Sequence, residues 1–546
     1  MRNKNMKTYK IFIVAITAIV LSSCTNFLTT QLTNSKTSDS YYQTPSDAAT
    51  ALVGCYNGLD LIWSSGVAMP LMAEVESDNC FGGTGSSDDY GYEMLDEFNK
   101  SIAPSDVSYF ESNWEGYYQA IYRCNTLIGK INQVKWGADT LARTTDEAEA
   151  KFLRADMYFD LVRLFEKVPL VTAPTMSNVP QASADSTYAQ IISDLKFAAA
   201  NLPSTAYPNV VNGRATKWAA EAMLARVFLF YTGYYGKTDC AGFTKAQALA
   251  AIADVRDNSG YGLVPDFTTL WPAASAAKKV TYAGEANKEV IFSIKYTGNG
   301  NYNGNITGNT WLLMTGIRLG AGGGTSIYPY AYGWGACTVD PKLWNDFSAS
   351  DSRRFASITS VTDEGLDAKT ASITGKPFSS ANNREYTGYY LKKYSPMCDS
   401  LNNALPNTNY LVAQPQDYFV IRYADVLLMA AELELGTNQG QALIDFNAVH
   451  TRAGLTAATS ITQADIMNER RLEFVGEGIR YWDLLRQGIN TAAATIVANT
   501  TASYLSDGTS SPSISAANII ATRGFQQIPE NQITLSGGVL KQNPGW

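Results

Sequence analysis

Histidine is almost absent from this chain, which has one, His450, in 546 residues. Seven cysteines occur, but neighbouring ones are all more than twenty positions apart, at residues 24, 55, 80, 124, 240, 337 and 398. Zinc and iron–sulfur sites need clustered cysteine or histidine ligands. We therefore expect no metal site and no cofactor, and scattered, mostly buried cysteines with room for one disulfide.

The usual catalytic and phosphate-binding motifs are missing as well. HExxH requires two histidines, no serine lies in GxSxG, and no glycine-rich segment has the spacing of a phosphate or dinucleotide loop. His450 lies in an apparent helix and is expected to be structural. A glycosidase needs only two carboxylates, and Asp88 with Asp89 and Glu74 with Glu76 are adjacent or nearly so, but nothing in the sequence fixes either pair across a substrate. The main expectation is a protein that is not an enzyme.

Acidic residues outnumber basic ones, 50 to 42, and the net charge is −8. A sequence-independent hold on nucleic acid or on anionic lipid requires clustered lysine and arginine. We therefore expect no nucleic-acid partner.

Only one long apolar run is present, at residues 11–21, and it is shorter than the ~20 residues that cross a bilayer as a helix. It follows a basic amino-terminal stretch and leads into the sequence LSSC, which ends at Cys24. This order is typical of a secretory signal that ends in a bacterial lipoprotein cleavage box. We predict a lipoprotein signal peptide at 1–23 and a lipidated tether at 24–40, so that Cys24 anchors the mature chain to a membrane.

Helical periodicity dominates residues 41–279. In 152–165, for example, Leu153, Met157 and Leu161 recur at steps of four and form one apolar stripe. Similar patterns predict helices at 114–131, 188–202, 218–231 and 245–255. Small residues in these stripes allow close helix approach, which favours stacked helix-turn-helix repeats of about 34 residues.

The composition changes over residues 280–415 to Gly, Asn, Thr, Ser and aromatic residues, with short strand-like runs such as 290–296. Long loops on a rigid scaffold are where binding residues concentrate, so we predict a loop-rich ligand-binding insertion here. Helices are predicted to resume at 418–435, 441–452 and 464–487, in a carboxy-terminal region of 416–546. The predicted fold class is mainly α, a tetratricopeptide-like helical repeat scaffold with a long loop-rich insertion containing short strands.

Aromatic residues are abundant, with 10 Trp, 32 Tyr and 21 Phe, and many must lie outside the core. A sugar ring stacks its C–H face on an aromatic ring, while its hydroxyls hydrogen-bond to polar side chains. Two clusters combine both features. The predicted ligand-binding residues are Asp78, Asn79, Phe81, Tyr90 and Tyr92 in the first, and Tyr302, Trp311, Tyr328, Tyr330 and Trp334 in the second. Alternation of Tyr328, Tyr330 and Tyr332 is equally consistent with a strand that packs one face on the core.

Characteristic motifs occur along the whole chain. They are CTNFL at 24–28, GCYNGL at 54–59, LRADMYFDLV at 153–162, GRATKWAA at 213–220, IRYADVLLM at 421–429, RAGL at 452–455, ERRLEF at 469–474, RYWDL at 480–484 and QNPGW at 542–546. In these motifs the chain resembles the SusD/RagB family of nutrient-binding outer-membrane lipoproteins from the Bacteroidetes group. The charged residues of the carboxy-terminal motifs, such as Arg422, Asp425 and Arg470, are expected to pair with one another rather than to contact ligand.

The resemblance implies a SusD-like division, with 41–279 as the amino-terminal helical region and 280–546 as the RagB/SusD domain. It also implies lipid anchoring in the outer membrane, display on the cell surface, and a partner of the SusC type, a TonB-dependent transporter. The expected function is non-covalent capture of an oligosaccharide or polysaccharide and its delivery to that transporter. A peptide-binding RagB-like uptake protein is the first alternative, and a surface glycoside hydrolase is the second.

Overall fold

A computed structural model describes residues 38–63, 69–85, 88, 91–99, 101, 109–301, 307–319, 324–374, 383–406, 409–500 and 514–546. The helices are α1 Ser38–Tyr41, α2 Pro45–Trp63, α3 Met69–Val75, α4 Gly91–Asp96, α5 Glu111–Lys130, α6 Thr140–Phe165, α7 Ala184–Asn201, α8 Lys217–Tyr235, α9 Lys245–Asn258, α10 Pro272–Lys278, α11 Trp311–Thr315, α12 Pro341–Asp346, α13 Ser352–Ser357, α14 Leu366–Thr374, α15 Tyr423–Glu434, α16 Gln439–Arg452, α17 Gln463–Glu473, α18 Arg480–Leu485, α19 Ile489–Thr500, α20 Ala516–Thr522 and α21 Glu530–Leu535. The strands are β1 Cys80–Phe81, β2 Thr84–Gly85, β3 Asp239–Cys240, β4 Phe243–Thr244, β5 Val290–Ile294, β6 Thr338–Val339, β7 Ile358–Ser360, β8 Asn383–Arg384, β9 Tyr389–Leu391 and β10 Tyr418–Arg422.

The long helices form a continuous stack in which each packs on its neighbour in the chain. Helix α5 packs on both α2 and α6, and the stack continues through α7, α8 and α9. Side-chain caps begin several of these helices: Asp139 accepts from the Ala142 backbone N–H at α6, and Thr244 and Gln247 form a capping box at α9. The prediction of a mainly α, tetratricopeptide-like scaffold is confirmed.

The stack resumes after the loop-rich segment because the two ends of that segment meet. Strand β5 near its start pairs antiparallel with β10 at its end. Helix α15, which follows β10 directly, then packs on α9 and on α16. The loop-rich segment therefore projects from a helical frame that is continuous in space.

A small sheet joins the two sequence clusters that were predicted to bind ligand. Its strand order is β1-β6-β9-β7, and each strand pairs antiparallel with its neighbour. A second pair, β2 with β8, places Thr84 opposite Arg384 and Gly85 opposite Asn383. The segment after residue 78 is in this way held against the segment around residue 338.

Two predicted helices are wrong in part. Residues 418–422 form the strand β10 instead of the first turns of a helix, and all five are buried. The predicted helix at 464–487 is broken between α17 and α18, where Gly476 and Gly478 have φ values of +72° and +68°. Since glycine adopts positive φ without a side-chain clash, these residues end one helix and reorient the next.

The charged residues of the carboxy-terminal motifs are buried and paired, as predicted. Arg422 Nε lies 2.7 Å from Glu477 Oε2, and Arg470 bonds Asp425 at 2.6 Å and Asp483 at 2.7 Å. The single histidine is also structural, since the ring of His450 stacks on Phe446 and its Nδ1 lies 2.8 Å from Glu469 Oε2. These interactions hold the carboxy-terminal elements together.

The six cysteines within the described residues are all buried and free: Cys55, Cys80, Cys124, Cys240, Cys337 and Cys398. Their predicted burial is confirmed, and the structure forms no disulfide among them. No helix in the ranges given above is long and apolar enough to span a bilayer.

Candidate functional site

Two aromatic rings of the predicted second cluster face solvent. Trp334 is 38% exposed and Tyr328 is 40% exposed. The backbone on either side of Trp334 is fixed, because its N–H donates to the Leu313 carbonyl at 2.7 Å and the Gly335 N–H donates to the Gly316 carbonyl at 3.0 Å. A large apolar ring held at the surface on a rigid backbone is a suitable platform for a ligand.

Arg318 lies directly against this platform. Its Nη1 is 3.4 Å from the Trp334 carbonyl oxygen, and its aliphatic stem crosses Gly335. A Cβ at Gly85 would lie 2.3 Å from Arg318 Nη2, so a larger residue there would displace the guanidinium from this position. The buried Nε of Arg318 has no hydrogen-bond partner within the described part of the chain. The side chain is held in place by these contacts and remains 17% exposed.

Asp88 completes the polar part of the surface. Its Oδ2 lies 3.2 Å from Arg318 Nη1 and accepts the Gly85 N–H at 2.9 Å. Arg384 donates to the Asp88 carbonyl oxygen at 2.6 Å. An exposed indole, a guanidinium and a carboxylate thus lie on adjoining backbone segments, and together they offer stacking, donation and acceptance of hydrogen bonds.

The predictions for Trp311 and Tyr330 are corrected by burial. Trp311 is 1% exposed, stacked on Tyr394 with ring centroids 4.6 Å apart, and Tyr330 donates through its hydroxyl to Glu364 at 2.6 Å. Both rings pack in the core, where a ligand cannot reach them. The alternative strand is not formed at 328–332 either: Tyr330 makes isolated bridges to Ile327 and Met397.

Most of the first cluster is also buried, so these predictions are corrected too. Asp78 accepts two hydrogen bonds from Arg480, at 2.7 and 3.0 Å, and one from Asn499 at 2.6 Å. The neighbouring Asn79 accepts from Arg471 at 3.1 Å, and Phe81 is fully buried in β1. Instead of binding hydroxyls, Asp78 neutralises buried arginines and Asn79 hydrogen-bonds to one of them.

The remaining predicted residues stay untested as ligand contacts. Tyr92 is half-buried in α4, with its ring 5.9 Å from that of Tyr109 in an edge arrangement. Tyr90, Tyr302 and Cys24 lie outside the described residues.

Two carboxyl groups lie close to one another behind the β2–β8 pair. Burial raises the pKa of Asp96 to about 7, an effect that its hydrogen bonds partly offset. Burial and the Asp96 charge raise the pKa of Glu385 well above its usual value. Such a proton-sharing pair is reminiscent of glycosidase chemistry, but Asp96 is 1% exposed and its Oδ2 accepts the Gly82 N–H at 2.8 Å. The pair is structural in this arrangement.

Sequence reasoning missed Arg318 and Arg384, and considered Asp88 only as one half of an acidic pair. Neither arginine lies in a recognisable motif, and their common partner Asp88 is more than two hundred positions away in the chain. The available signal was the glycine at 85 and the glycine at 335, which leave space for a side chain that approaches from elsewhere.

Comparison with known proteins agrees with this architecture. Residues 288–546 match the model of the SusD family, and residues 79–229 match a family described as starch-binding associating with outer membrane. A SusD-like protein of Bacteroides ovatus is 24% identical over 503 residues, which cover 87% of this chain and 82% of that protein.

Solved structures match over nearly the whole length. A laminarin binding SusD-like protein has a TM-score of 0.72 and 27% identity, with 92% of this chain and 100% of that chain covered. Surface glycan-binding protein A from Bacteroides thetaiotaomicron in complex with laminarihexaose has a TM-score of 0.74 and 25% identity, with the same coverage. The chain belongs to the SusD/RagB family. These relatives are named as SusD-like or glycan-binding proteins and not as enzymes, in agreement with the expectation that this chain is not an enzyme.

Proposed function

We propose that this protein binds a neutral oligosaccharide without cleaving it, on the surface formed by Trp334, Arg318 and Asp88. The observation that carries the proposal is the exposed Trp334 indole beside the Arg318–Asp88 ion pair, whose side chains are 17% and 42% exposed. The indole stacks on the C–H face of a sugar ring, and the Arg318–Asp88 pair donates to and accepts from its hydroxyls. Among the described residues, Arg318 is paired with Asp88 and Arg384 with Glu93, and this balance of charge disfavours a polyanionic ligand.

The names of the structural neighbours indicate which sugar to test first. Two of them are described with laminarin or laminarihexaose. Identity of 25–27% leaves the linkage open, because platform loops change faster than the scaffold. A laminarin-type glucan is therefore the first ligand for the assay.

Capture is proposed to serve transport. A lipid on Cys24 would hold the protein in the outer membrane, on the cell surface, next to a SusC-type TonB-dependent transporter that receives the glycan. The lipoprotein cleavage box and the family-model description, associating with outer membrane, support this location. Two proteins confined to one membrane meet at a high effective concentration, so a moderate affinity for glycan suffices for transfer.

A glycan array probed in parallel with a peptide mixture tests the ligand class. We expect binding to one or more neutral glycans and none to the peptides. Binding confined to peptides would replace the proposal by peptide uptake. Reducing ends released during overnight incubation of the purified protein with its glycan would contradict the absence of catalysis, and the Trp334→Ala variant serves as the matched control for both assays.

A further inference from the structure

A second concave surface lies along helix α5, away from the site just described. It is a groove of about 760 Å³ bounded by α5, by the segment at 169–179 and by the segment at 532–540. Pockets that hold small ligands usually measure ~300–1,000 Å³. None of the residues that line the groove belongs to the Trp334 surface.

The floor of the groove is aromatic. Trp114, Tyr118 and Tyr122 follow one another at every fourth position of α5, so they lie along one face of the helix. The rings of Trp114 and Tyr118 pack with centroids 5.1 Å apart. Tyr122 is 54% exposed, and its hydroxyl makes no hydrogen bond within the described ranges. The row therefore ends in a ring with a free face and a free hydroxyl.

Two exposed polar side chains lie beside this row of aromatic residues. Gln119 is exposed between Tyr118 and Tyr122, and Ser177 is exposed on the opposite wall. Within the residues that the structure covers, neither side chain has a hydrogen-bond partner. An amide and a hydroxyl supply both donors and acceptors, which suits the alternating hydroxyls of a sugar.

The walls are held in place before any ligand arrives. Tyr118 donates through its hydroxyl to the Pro169 carbonyl oxygen at 2.9 Å. Asn178 donates to the Ser536 carbonyl oxygen at 3.1 Å, and Gln532 donates to Glu115 at 3.1 Å. These bonds tie all three boundaries of the groove together, so binding costs little ordering entropy.

The charges of the groove favour a neutral ligand. Its cation, Arg123, already donates to the Gly54 carbonyl oxygen at 2.9 Å and to Asn57 at 3.2 Å. Its carboxylate, Glu115, accepts from Gln532. No excess of positive charge is left among these lining residues for a phosphate or a uronic acid. The side chain of Leu535, which lines the groove and is 71% exposed, would also suit an apolar peptide, and the test below includes a peptide arm.

We propose that this groove is a second binding site for a neutral oligosaccharide, with Tyr122 as the stacking ring and Gln119 and Ser177 as hydrogen-bonding groups. This inference goes beyond the Trp334 surface. A long glycan that occupies both sites would be retained more strongly than a short one, because the second contact is intramolecular.

Amide hydrogen exchange of the full mature chain tests the proposal. The probes are laminarihexaose, maltohexaose, cellohexaose, mannohexaose and xylohexaose, with a tryptic digest of casein as the peptide arm. We expect at least one hexasaccharide to slow exchange in peptides from 111–130 and 169–179, and the same sugar to lose this effect in the Tyr122→Ala and Gln119→Ala variants. Affinity at the groove should fall roughly three- to tenfold in Tyr122→Ala.

The outcomes separate the two sites. Protection confined to segments around Trp334 would overturn the second site and leave the proposed function intact. Protection of the groove by casein peptides alone, or by no probe at all, would also overturn it. Protection of the groove that persists in Trp334→Ala would support it even if the Trp334 surface bound nothing. The Leu141→Ala variant, which changes an exposed side chain on α6 outside the groove, should behave as wild type.

Discussion

At the scale of single residues, Asp78 shows how a plausible ligand contact can be a structural anchor. It is predicted as a binding residue because an acidic and an amide side chain precede a phenylalanine, but it lies buried between two arginines. The attraction of Arg480 and Arg471 outweighs the cost of burial and holds the pKa of Asp78 well below its usual range. A buried charge that loses its partner costs about 3–5 kcal/mol.

We predict that Asp78→Asn lowers the free energy of unfolding by about that amount, because both guanidinium groups lose their buried countercharge. Urea unfolding followed by circular dichroism measures it. The matched control is Asp88→Asn, since Asp88 is exposed and should cost less than about 1 kcal/mol while weakening glycan binding. Equal loss of stability in the two variants would contradict the different roles assigned to them.

Glu76 gives a prediction about how the free energy of unfolding depends on pH. Burial raises its pKa to about 8 from a reference value of 4.5, although hydrogen bonds from Gln526 at 2.7 and 2.8 Å oppose the shift. The folded state therefore holds a proton that the unfolded state releases. Stability falls as pH rises from about 4.5 towards about 8, and is constant beyond.

In Glu76→Gln this contribution is absent, so its free energy of unfolding should rise relative to wild type as pH increases from 5 to 8. Thermal unfolding at several pH values measures the difference. Glu530→Gln, which makes the same change at an exposed position, is the matched control. Parallel stability profiles for Glu76→Gln and wild type would refute the assignment.

At the scale of secondary structure, the long amphipathic helices are predictable and the buried short elements are not. Residues 418–421 are aromatic or β-branched, and a short buried run of this kind fits a strand or a helix equally well. What decides is the pairing with β5, more than a hundred positions earlier. The break between α17 and α18 is decided in the same way, because Gly478 packs against Pro70.

Gly478→Ala should therefore be destabilising. The residue has φ of +68°, and a Cβ there would lie 2.5 Å from Pro70 Cα, so both backbone strain and a clash with α3 are introduced. We expect a loss of about 2 kcal/mol or more in the free energy of unfolding, measured by urea titration. Gly440→Ala, in a helix with nothing within 4 Å of the added Cβ, should be neutral or slightly stabilising. Similar effects in the two variants would contradict this explanation.

At the scale of the whole molecule, the scaffold is predictable because its periodicity is local, whereas the site is assembled from distant segments. Trp334 is identifiable as an aromatic residue in a glycine-rich loop. The sequence does not reveal that Trp334 is exposed and Trp311 is buried. Trp311 is buried because Tyr394, which is distant in the chain, stacks on its ring. Arg318 is placed by Gly85, Gly335 and Asp88, and these contacts exist only in the folded chain.

The anchoring proposal also belongs to this scale. Cys24→Ser should prevent lipid attachment, so that the protein leaves the membrane fraction and no longer incorporates labelled palmitate. Fractionation of cells that express each form measures it, with Cys55→Ser, at a buried cysteine, as the control that should remain membrane-associated. Retention of the Cys24→Ser protein in the membrane fraction would refute the lipid anchor.

The central claim is that an exposed indole and its neighbouring ion pair hold a glycan. Isothermal titration calorimetry with the best ligand from the array tests this claim most directly. It compares the glycan affinities of wild type, Trp334→Ala and Arg318→Ala. We predict that Trp334→Ala weakens binding by about 1–3 kcal/mol, with an unchanged free energy of unfolding. Affinity in Trp334→Ala and Arg318→Ala equal to that of wild type would contradict the account.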